Sequence, residues 1–288
     1  MPSILVTGAT GFIGAALVTE LRHRGESVIG LGSRDGRIDE PDTLERAAPG
    51  VIRWIFHLAG RVFVPDSWEN PLEFTRVNTL GAHNVLEFGR KRKVPVTHVS
   101  SYLYGRPDAL PIPEHAPAKA DNPYALSKLM AEQACECYGR THGMPVTVIR
   151  PFNVYGPGQD DRFLIPSIVR QALHTDAIAV ADLKPRRDYV YLDDLVEALI
   201  LTMEHPEGYH IFNIGSGESF SVQQVIDIVQ QAAGTRKKVH CDLQARPFEI
   251  DDVVADISRA RQHLAWRPRH SFAEGIGKVV AAARGSTP

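Results

Sequence analysis

Residues 3–7 (SILVT) are an apolar run of the length of a buried strand, and TGATGFIG at residues 7–14 then brings three glycines. An amphipathic stretch, IGAALVTELRHRG, follows and closes on Gly25, and a second apolar run, SVIGLG, comes directly after it. The opening of the chain therefore reads as strand, glycine loop, helix, strand. Further short runs, WIFHLAG (54–60), VTHVSS (96–101) and PVTVIRPF (145–152), each follow a helix-like stretch, and the alternation lasts to about residue 155. Strands alternating with helices pack as a parallel sheet covered on both faces, which predicts a doubly wound α/β architecture.

The rhythm breaks at the Pro/Gly-rich VYGPGQ (154–159), which predicts the start of a second lobe. DYVYLDDLVEALILTME (188–204) and HIFNIG (210–215) read as a helix and a strand returning to the main sheet. The expected division is a main domain over residues 1–155, rejoined by 188–215, with a smaller, mostly C-terminal lobe from 156–187 and 216–288. Between the second strand and WIFHLAG, the charged GSRDGRIDEPD predicts a loop with at most a brief helix.

With 288 residues, 43% hydrophobic and 23% charged, the chain has enough apolar content for one large core plus a small lobe. The net charge of −2 and the scatter of the basic residues give no surface for nucleic acid or membrane. The RKRK at 90–93 ends a predicted helix, where cations meet the negative end of the dipole. Cys135, Cys137 and Cys241 cannot form a full disulfide set, and the first two face different sides of a helix, so a reduced, cytoplasmic setting is expected. The 12 histidines form no HxxxH or Cys/His cluster, so no metal site is expected. The N-terminus has neither a charged leader nor a long apolar run, which predicts no signal peptide and no membrane span.

Gly8, Gly11 and Gly14 lie between a strand and a helix, where backbone can approach a pyrophosphate facing the helix N-terminus. A tight turn with no ligand is the plainer explanation of such a loop. Tyr124 and Lys128, in NPYALSKLMAEQ, are four apart on a predicted helix that starts at about Pro123. On that spacing the Lys128 ammonium reaches the Tyr124 phenol. Moving a phenol from its reference pKa of about 10 into the neutral range requires about 4 kcal/mol of differential stabilisation, and a neighbouring ammonium acts in that direction. In isolation such a pair is more often a solvated one. Downstream of a nucleotide-type loop and of Ser100-Ser101, it reads as acid–base machinery.

These pieces, with HLAG (57–60), SSYLYG (100–105), RPFNVYGPGQ (150–159), RRDYVYLDD (186–194), FNIGSGES (212–219) and RPFEIDDVVAD (246–256), make the chain resemble the extended short-chain dehydrogenases/reductases that act as nucleotide-sugar epimerases, dehydratases and ketoreductases. The likeness covers nearly the whole length. It implies a Rossmann-like α/β fold whose smaller C-terminal lobe binds substrate, a nucleotide-diphosphate sugar, and a homodimer formed through helices near Pro71–Lys91 and Pro123–Arg140. Burial of the second helix against its own sheet explains its apolar content equally. It also implies that Ser100 bonds the reacting sugar oxygen, that Tyr124 is the acid/base, and that Lys128 holds the nicotinamide ribose. Gly8, Thr10, Gly11, Phe12, Ile13, Gly14, Leu58, Ala59 and Gly60 would contact the cofactor. Asn153, Arg187, Arg246 and Glu249 fall where relatives grip the nucleotide sugar. Their plainer readings are a turn cap for Asn153, an ion pair with Asp188 or Asp193 for Arg187, and a surface charge for Arg246.

Two departures narrow the reaction. Dehydratases of the group carry Asp-Glu after the catalytic Ser/Thr, and this chain has Ser101-Tyr102, so dehydration is not expected. NAD-dependent relatives carry an acid at the end of the second strand, and this chain has Gly32-Ser33-Arg34. Ser33 and Arg34 can donate to a 2′-phosphate, which favours NADP(H) over NAD(H); the alternative is that Arg34 pairs with Asp35 or Asp39. A dissociable NADPH suits a 4-ketoreductase, a retained NAD a 4-epimerase, and a dinucleotide sensor without turnover is the remote third reading.

Overall fold

A computed structural model describes residues 2–205, 207–242 and 250–285. The six apolar runs expected as strands of the main sheet all form them: β1 (Ser3–Thr7), β2 (Val28–Leu31), β3 (Ile52–His57), β4 (Val96–Val99), β5 (Val146–Pro151) and β9 (Tyr209–Ile214). Their order is β2-β1-β3-β4-β5-β9, and every pairing is parallel.

The two-residue period sorts each strand between two cores. On one face Ile4 and Val6 pack with Leu17 and Leu21 of α1 (Phe12–His23) and with Leu195 and Leu199 of α8 (Leu192–Leu201). On the other, Leu5 and Ile55 pack with Val85 and Leu86 of α5 (Gly81–Arg92) and with Ala134 and Cys135 of α6 (Pro123–Thr141). The short segment after β2 holds one brief helix, α2 (Asp42–Ala47). Strand order reverses between β1 and β3, so the crevice for a ligand opens beyond their C-terminal ends.

The stretch 188–204 is not one helix. Its first residues belong to β8 (Arg186–Tyr191), which lies between β6 (Asn153–Tyr155) and β10 (Ser219–Ser221) in a small separate sheet, and α8 begins only at Leu192. The reason is the packing of Tyr189 and Tyr191 into a third core with Tyr155 and Phe272, which fixes alternate side chains on one face as a strand requires. That core is closed by α7 (Leu164–His174), α9 (Val222–Ala233) and α11 (Phe272–Gly285) beside a second pair of strands, β7 (Ala177–Val180) and β11 (Lys238–Cys241). A short α10 (Ser258–His263) returns the chain to β9. Among the described residues no helix is long and apolar enough to cross a membrane.

The segment expected as one helix over 71–91 is also divided. α3 (Val64–Glu69) and α4 (Pro71–Phe74) lead into a wider π-helical turn, Thr75–Leu80, before α5. Such turns insert a residue and re-aim side chains, frequently at functional sites.

Candidate active site

Gly8 follows β1 at φ +72°, and a Cβ there would stand 2.6 Å from the backbone nitrogen of Ala59. Gly14, in the first turn of α1, lies closer still to the loop: its Cβ would fall 2.0 Å from the Gly8 carbonyl oxygen. The glycines thus let the loop, the start of α1 and the end of β3 close on one another. α1 begins at Gly11 with no side-chain cap and no acid in its first turn, which leaves backbone N–H groups turned to the crevice. Phe12 packs toward Gly156, whose Cβ would lie 3.5 Å from the ring, and Ile13 joins the core beneath.

Opposite the loop, Leu58 N–H donates to the Thr7 carbonyl and Ala59 N–H to the Thr7 hydroxyl, both at 3.2 Å. Gly60 lies between Asn78 and Lys128, with a Cβ position 3.0 Å from Asn78 Oδ1 and 3.9 Å from Lys128 Nζ. Asn78, on the π-helical turn, accepts from Arg61 N–H at 2.8 Å and donates to the Arg61 carbonyl and the Ser127 hydroxyl. Thr79 donates to the Ser127 carbonyl at 2.9 Å. The turn therefore grips α6 at the residue just before Lys128. Neither Asn78 nor Ser127 was expected from the sequence; VNTLGAHNVLE offers an asparagine on an apolar helix, a weak signal.

α6 starts where Asn122 accepts from Ala125 N–H at 2.8 Å and Pro123 occupies the first turn. It carries Tyr124 and Lys128 to the ends of β3 and β4. The direct contact expected between them is not present. Lys128 points into the sheet and donates to the Val99 carbonyl at 2.7 Å, because that carbonyl is the acceptor available to a buried ammonium there. Burial brings Lys128 down to about 8, against the opposing pull of Glu132 and Cys135. Tyr124, edge-on to Phe74, is pushed up to about 12 by desolvation, with Ser101 beside it acting the other way. Its hydroxyl thus holds its proton more firmly than a free phenol, opposite to the direction expected from the spacing alone. Ser100 is buried and its Oγ has no hydrogen-bond partner among the described residues.

At the far end of the crevice, a Cβ at Gly32 would be 2.6 Å from Thr10 Cγ2, so a side chain at the end of β2 would require the exposed Thr10 to shift. Ser33 and Arg34 are exposed. The acids that could neutralise Arg34 are engaged elsewhere: Asp35 accepts from Gly32 N–H at 2.8 Å, and Asp39 takes both arms of Arg37 at 3.0 Å.

Asn153 is held by the protein, donating to the Asp188 carbonyl at 3.0 Å and accepting from Tyr102 at 3.3 Å. Arg187 donates to the carbonyls of Arg186 and Ile250. Its neighbour Asp188 instead accepts from Ser216, Gly217 and Ala255, joining β8 to the segments after β9 and before α10. Arg246 and Glu249 lie outside the described residues. An open groove of about 690 Å³ runs between α1 and α8 past Arg24, Glu197 and His270, and Ser100, Tyr124 and Lys128 are not part of it.

A model of the NAD-dependent epimerase/dehydratase family matches residues 4–215, which span the glycine loop, Ser100, Tyr124 and Lys128. The chain belongs to that family. It is 30% identical to a GDP-6-deoxy-D-mannose reductase from Pseudomonas aeruginosa, over 96% of each chain. Its fold superposes on RMD from Pseudomonas aeruginosa complexed with NADPH at a TM-score of 0.92, with 28% identity and full coverage of both chains. It also superposes on a UDP-glucose 4-epimerase from Thermus thermophilus in complex with NAD, at a TM-score of 0.90 and 29% identity, over 99% of this chain and 100% of that one.

Within this epimerase/dehydratase family the chain is an NAD(P)-dependent enzyme of the nucleotide-sugar type, and its own residues suit a dinucleotide. The uncapped start of α1 offers donors for a pyrophosphate, and Gly60 leaves open the approach to Lys128. The unpartnered Ser100 hydroxyl has a hydrogen bond to give to a further group.

Proposed function

We propose that the chain is an NADPH-dependent nucleotide-sugar 4-ketoreductase. The observation that carries this reading is the end of β2, where position 32 is glycine and Arg34 stands exposed while Asp35 and Asp39 are bonded elsewhere. A guanidinium in that position makes charge-assisted hydrogen bonds to a 2′-phosphate. The likeness to a reductase and to an NADPH complex supports the same choice.

The bound nicotinamide supplies the hydride. Ser100 Oγ donates to the keto oxygen and fixes it, and Tyr124 gives that oxygen its proton as charge develops there. A phenol held up to about 12 is in the protonated form this step needs. Lys128 would hold the nicotinamide ribose, while Asn78 and Thr79 keep its stretch of α6 in register. The backbone from Gly8 to Gly14, with Thr10, Phe12 and Ile13, receives the pyrophosphate, and Leu58, Ala59 and Gly60 line the cofactor. Arg187 and Arg246 would pair with the sugar's diphosphate, and Asn153 and Glu249 with its hydroxyls.

A 4-epimerase with retained NAD is the second reading. The observation favouring it is Asp35, whose carboxylate sits on the Gly32 N–H and could accept from ribose hydroxyls. Incubation with NADPH and nucleotide-diphosphate 4-keto sugars, followed by nicotinamide absorbance, separates the two. Loss of absorbance supports the reductase; no loss, with NAD released on denaturation, supports the epimerase.

The cytoplasmic setting expected from the free cysteines accords with this role. A homodimer accords with Leu72 and Leu80, on one side, and Leu126 and Met130 of α6, all exposed by 37% or more. Light scattering giving twice the chain mass is the expected result, and a monomer would contradict it.

A further inference from the structure

Four buried polar atoms beneath the active site have no hydrogen-bond partner among the described residues: His57 Nε2, both ring nitrogens of His98, and Ser100 Oγ. They belong together. His57 and His98 are register partners across β3 and β4, with ring centroids 5.1 Å apart, and Ser100 follows His98 by two residues, so alternation turns its side chain to the same face. That face is covered by α6, and Lys128 comes down onto it to reach Val99.

His57 Nδ1 lies 2.7 Å from Thr7 Oγ1, which also accepts from Ala59 N–H. With the hydroxyl donating to Nδ1, His57 carries its own proton on Nε2 as a buried donor with nothing to meet, and in the other tautomer Nε2 is a buried acceptor equally unmet. His98 adds one donor and one acceptor in the same condition. Leaving so many polar atoms bare in a packed interior is strongly unfavourable, and native proteins meet such groups with ordered water.

We propose that His57, His98 and Ser100 enclose an internal water that hydrogen-bonds the Lys128 ammonium, which makes His98 a positioning residue for Lys128. The donors and acceptors balance. The water accepts from His57 Nε2–H and from an N–H of Lys128, and donates to the free nitrogen of His98 and to the Ser100 oxygen. Both imidazoles are neutral, since desolvation first, then the nearby ammonium, drives His57 down to about 3 and His98 well below its usual value. The other ionisable groups acting on Lys128 are Glu132 and Cys135, both on α6, with Tyr124 one turn earlier and not in contact, and the Glu132 carboxylate is bonded to Arg150. The ammonium has one carbonyl and this water to hold it until a ligand arrives. The inference rests on Lys128 being the ribose-binding residue of the proposed function.

The test titrates NADPH, by its fluorescence, into wild type, Lys128→Met, His98→Phe and His98→Gln. Phenylalanine keeps the shape of the ring and removes both nitrogens, whereas glutamine keeps an acceptor. Lys128→Met is expected to weaken binding roughly tenfold or more, His98→Phe about fivefold at an unchanged or higher melting temperature, and His98→Gln no more than about twofold. Wild-type affinity in His98→Phe, with Lys128→Met impaired, would overturn the positioning role and spare the reading of Lys128. Unchanged affinity in Lys128→Met would remove that reading and this role together. A high-resolution crystal structure decides the water independently of folding in any variant. Density bonded to Lys128 Nζ and an imidazole nitrogen supports the proposal, and dry imidazoles overturn it.

Discussion

Lys128 and Arg150 are both buried cations on the α6 face of the sheet, and they are treated in opposite ways. Arg150 meets Glu132 through three contacts of 2.5–3.1 Å, the Tyr104 hydroxyl at 2.9 Å and the Glu114 carbonyl at 3.1 Å. Tyr104 in turn donates to Asn213 at 2.6 Å, so the network joins α6, β5, β9 and the loop after β4. Lys128, a single turn before Glu132, has one acceptor among the described residues, the Val99 carbonyl. The contrast separates a cation that holds the fold from one whose remaining donors are kept for a ligand. Lys128 and Glu132, the partner of Arg150, lie on the same helix, which is how a rigid anchor positions an under-coordinated site.

The comparison breaks most visibly at Arg150. Arg150→Met leaves the Glu132 carboxylate buried and unpaired, and urea unfolding is expected to show a loss of about 3–5 kcal/mol. Glu132→Leu combined with Arg150→Met should recover most of it, because no charge then remains to be buried. A single variant as stable as wild type would mean that the network does not anchor α6.

Lys128→Met has the opposite sign. With a folded value of about 8 against an ordinary 10.5, the unfolded chain binds this proton more tightly. Wild-type stability therefore rises with pH between about 8 and 10.5, and below pH 8 the buried charge costs about 3 kcal/mol. The methionine variant should be more stable than wild type at pH 7 by that order, with the gap closing as pH passes 10.5. A variant less stable at pH 7 would show that Lys128 is an anchor after all.

Tyr124→Phe sharpens the comparison by leaving stability and dinucleotide affinity nearly unchanged while turnover falls by about 10²-fold or more. The measurement is the chemical step under single-turnover conditions. Activity within a few fold of wild type would remove Tyr124 from the role of proton donor.

Periodicity made the main sheet legible, since each strand sorts its side chains between two cores and the glycine loop marks the first crossover. Spacing placed Tyr124 and Lys128 on one helix, but it did not give their orientation. Lys128 turns from Tyr124 toward Val99 because a distant strand supplies its acceptor, and no local pattern encodes that choice. Asn78 and the π-helical turn depend on Arg61 and Ser127, 17 and 49 residues away. Likewise Tyr189 and Tyr191 pull β8 out of an apparently helical segment through contacts with Phe272 and Tyr155. The glycine at position 32 was visible, whereas its closeness to the Thr10 side chain needed the fold.

Arg34 carries the smallest expected effect and the central claim. Arg34→Ala should cost NADPH about 1.5–3 kcal/mol of affinity and leave NADH unchanged, since only the 2′-phosphate meets the guanidinium. The dissociation constants of the wild type for NADPH and NADH are therefore the most direct measurement. A preference for NADPH of roughly tenfold or more, lost in Arg34→Ala, is the predicted result. Equal affinities that the substitution leaves equal would contradict the phosphate site and, with it, the ketoreductase.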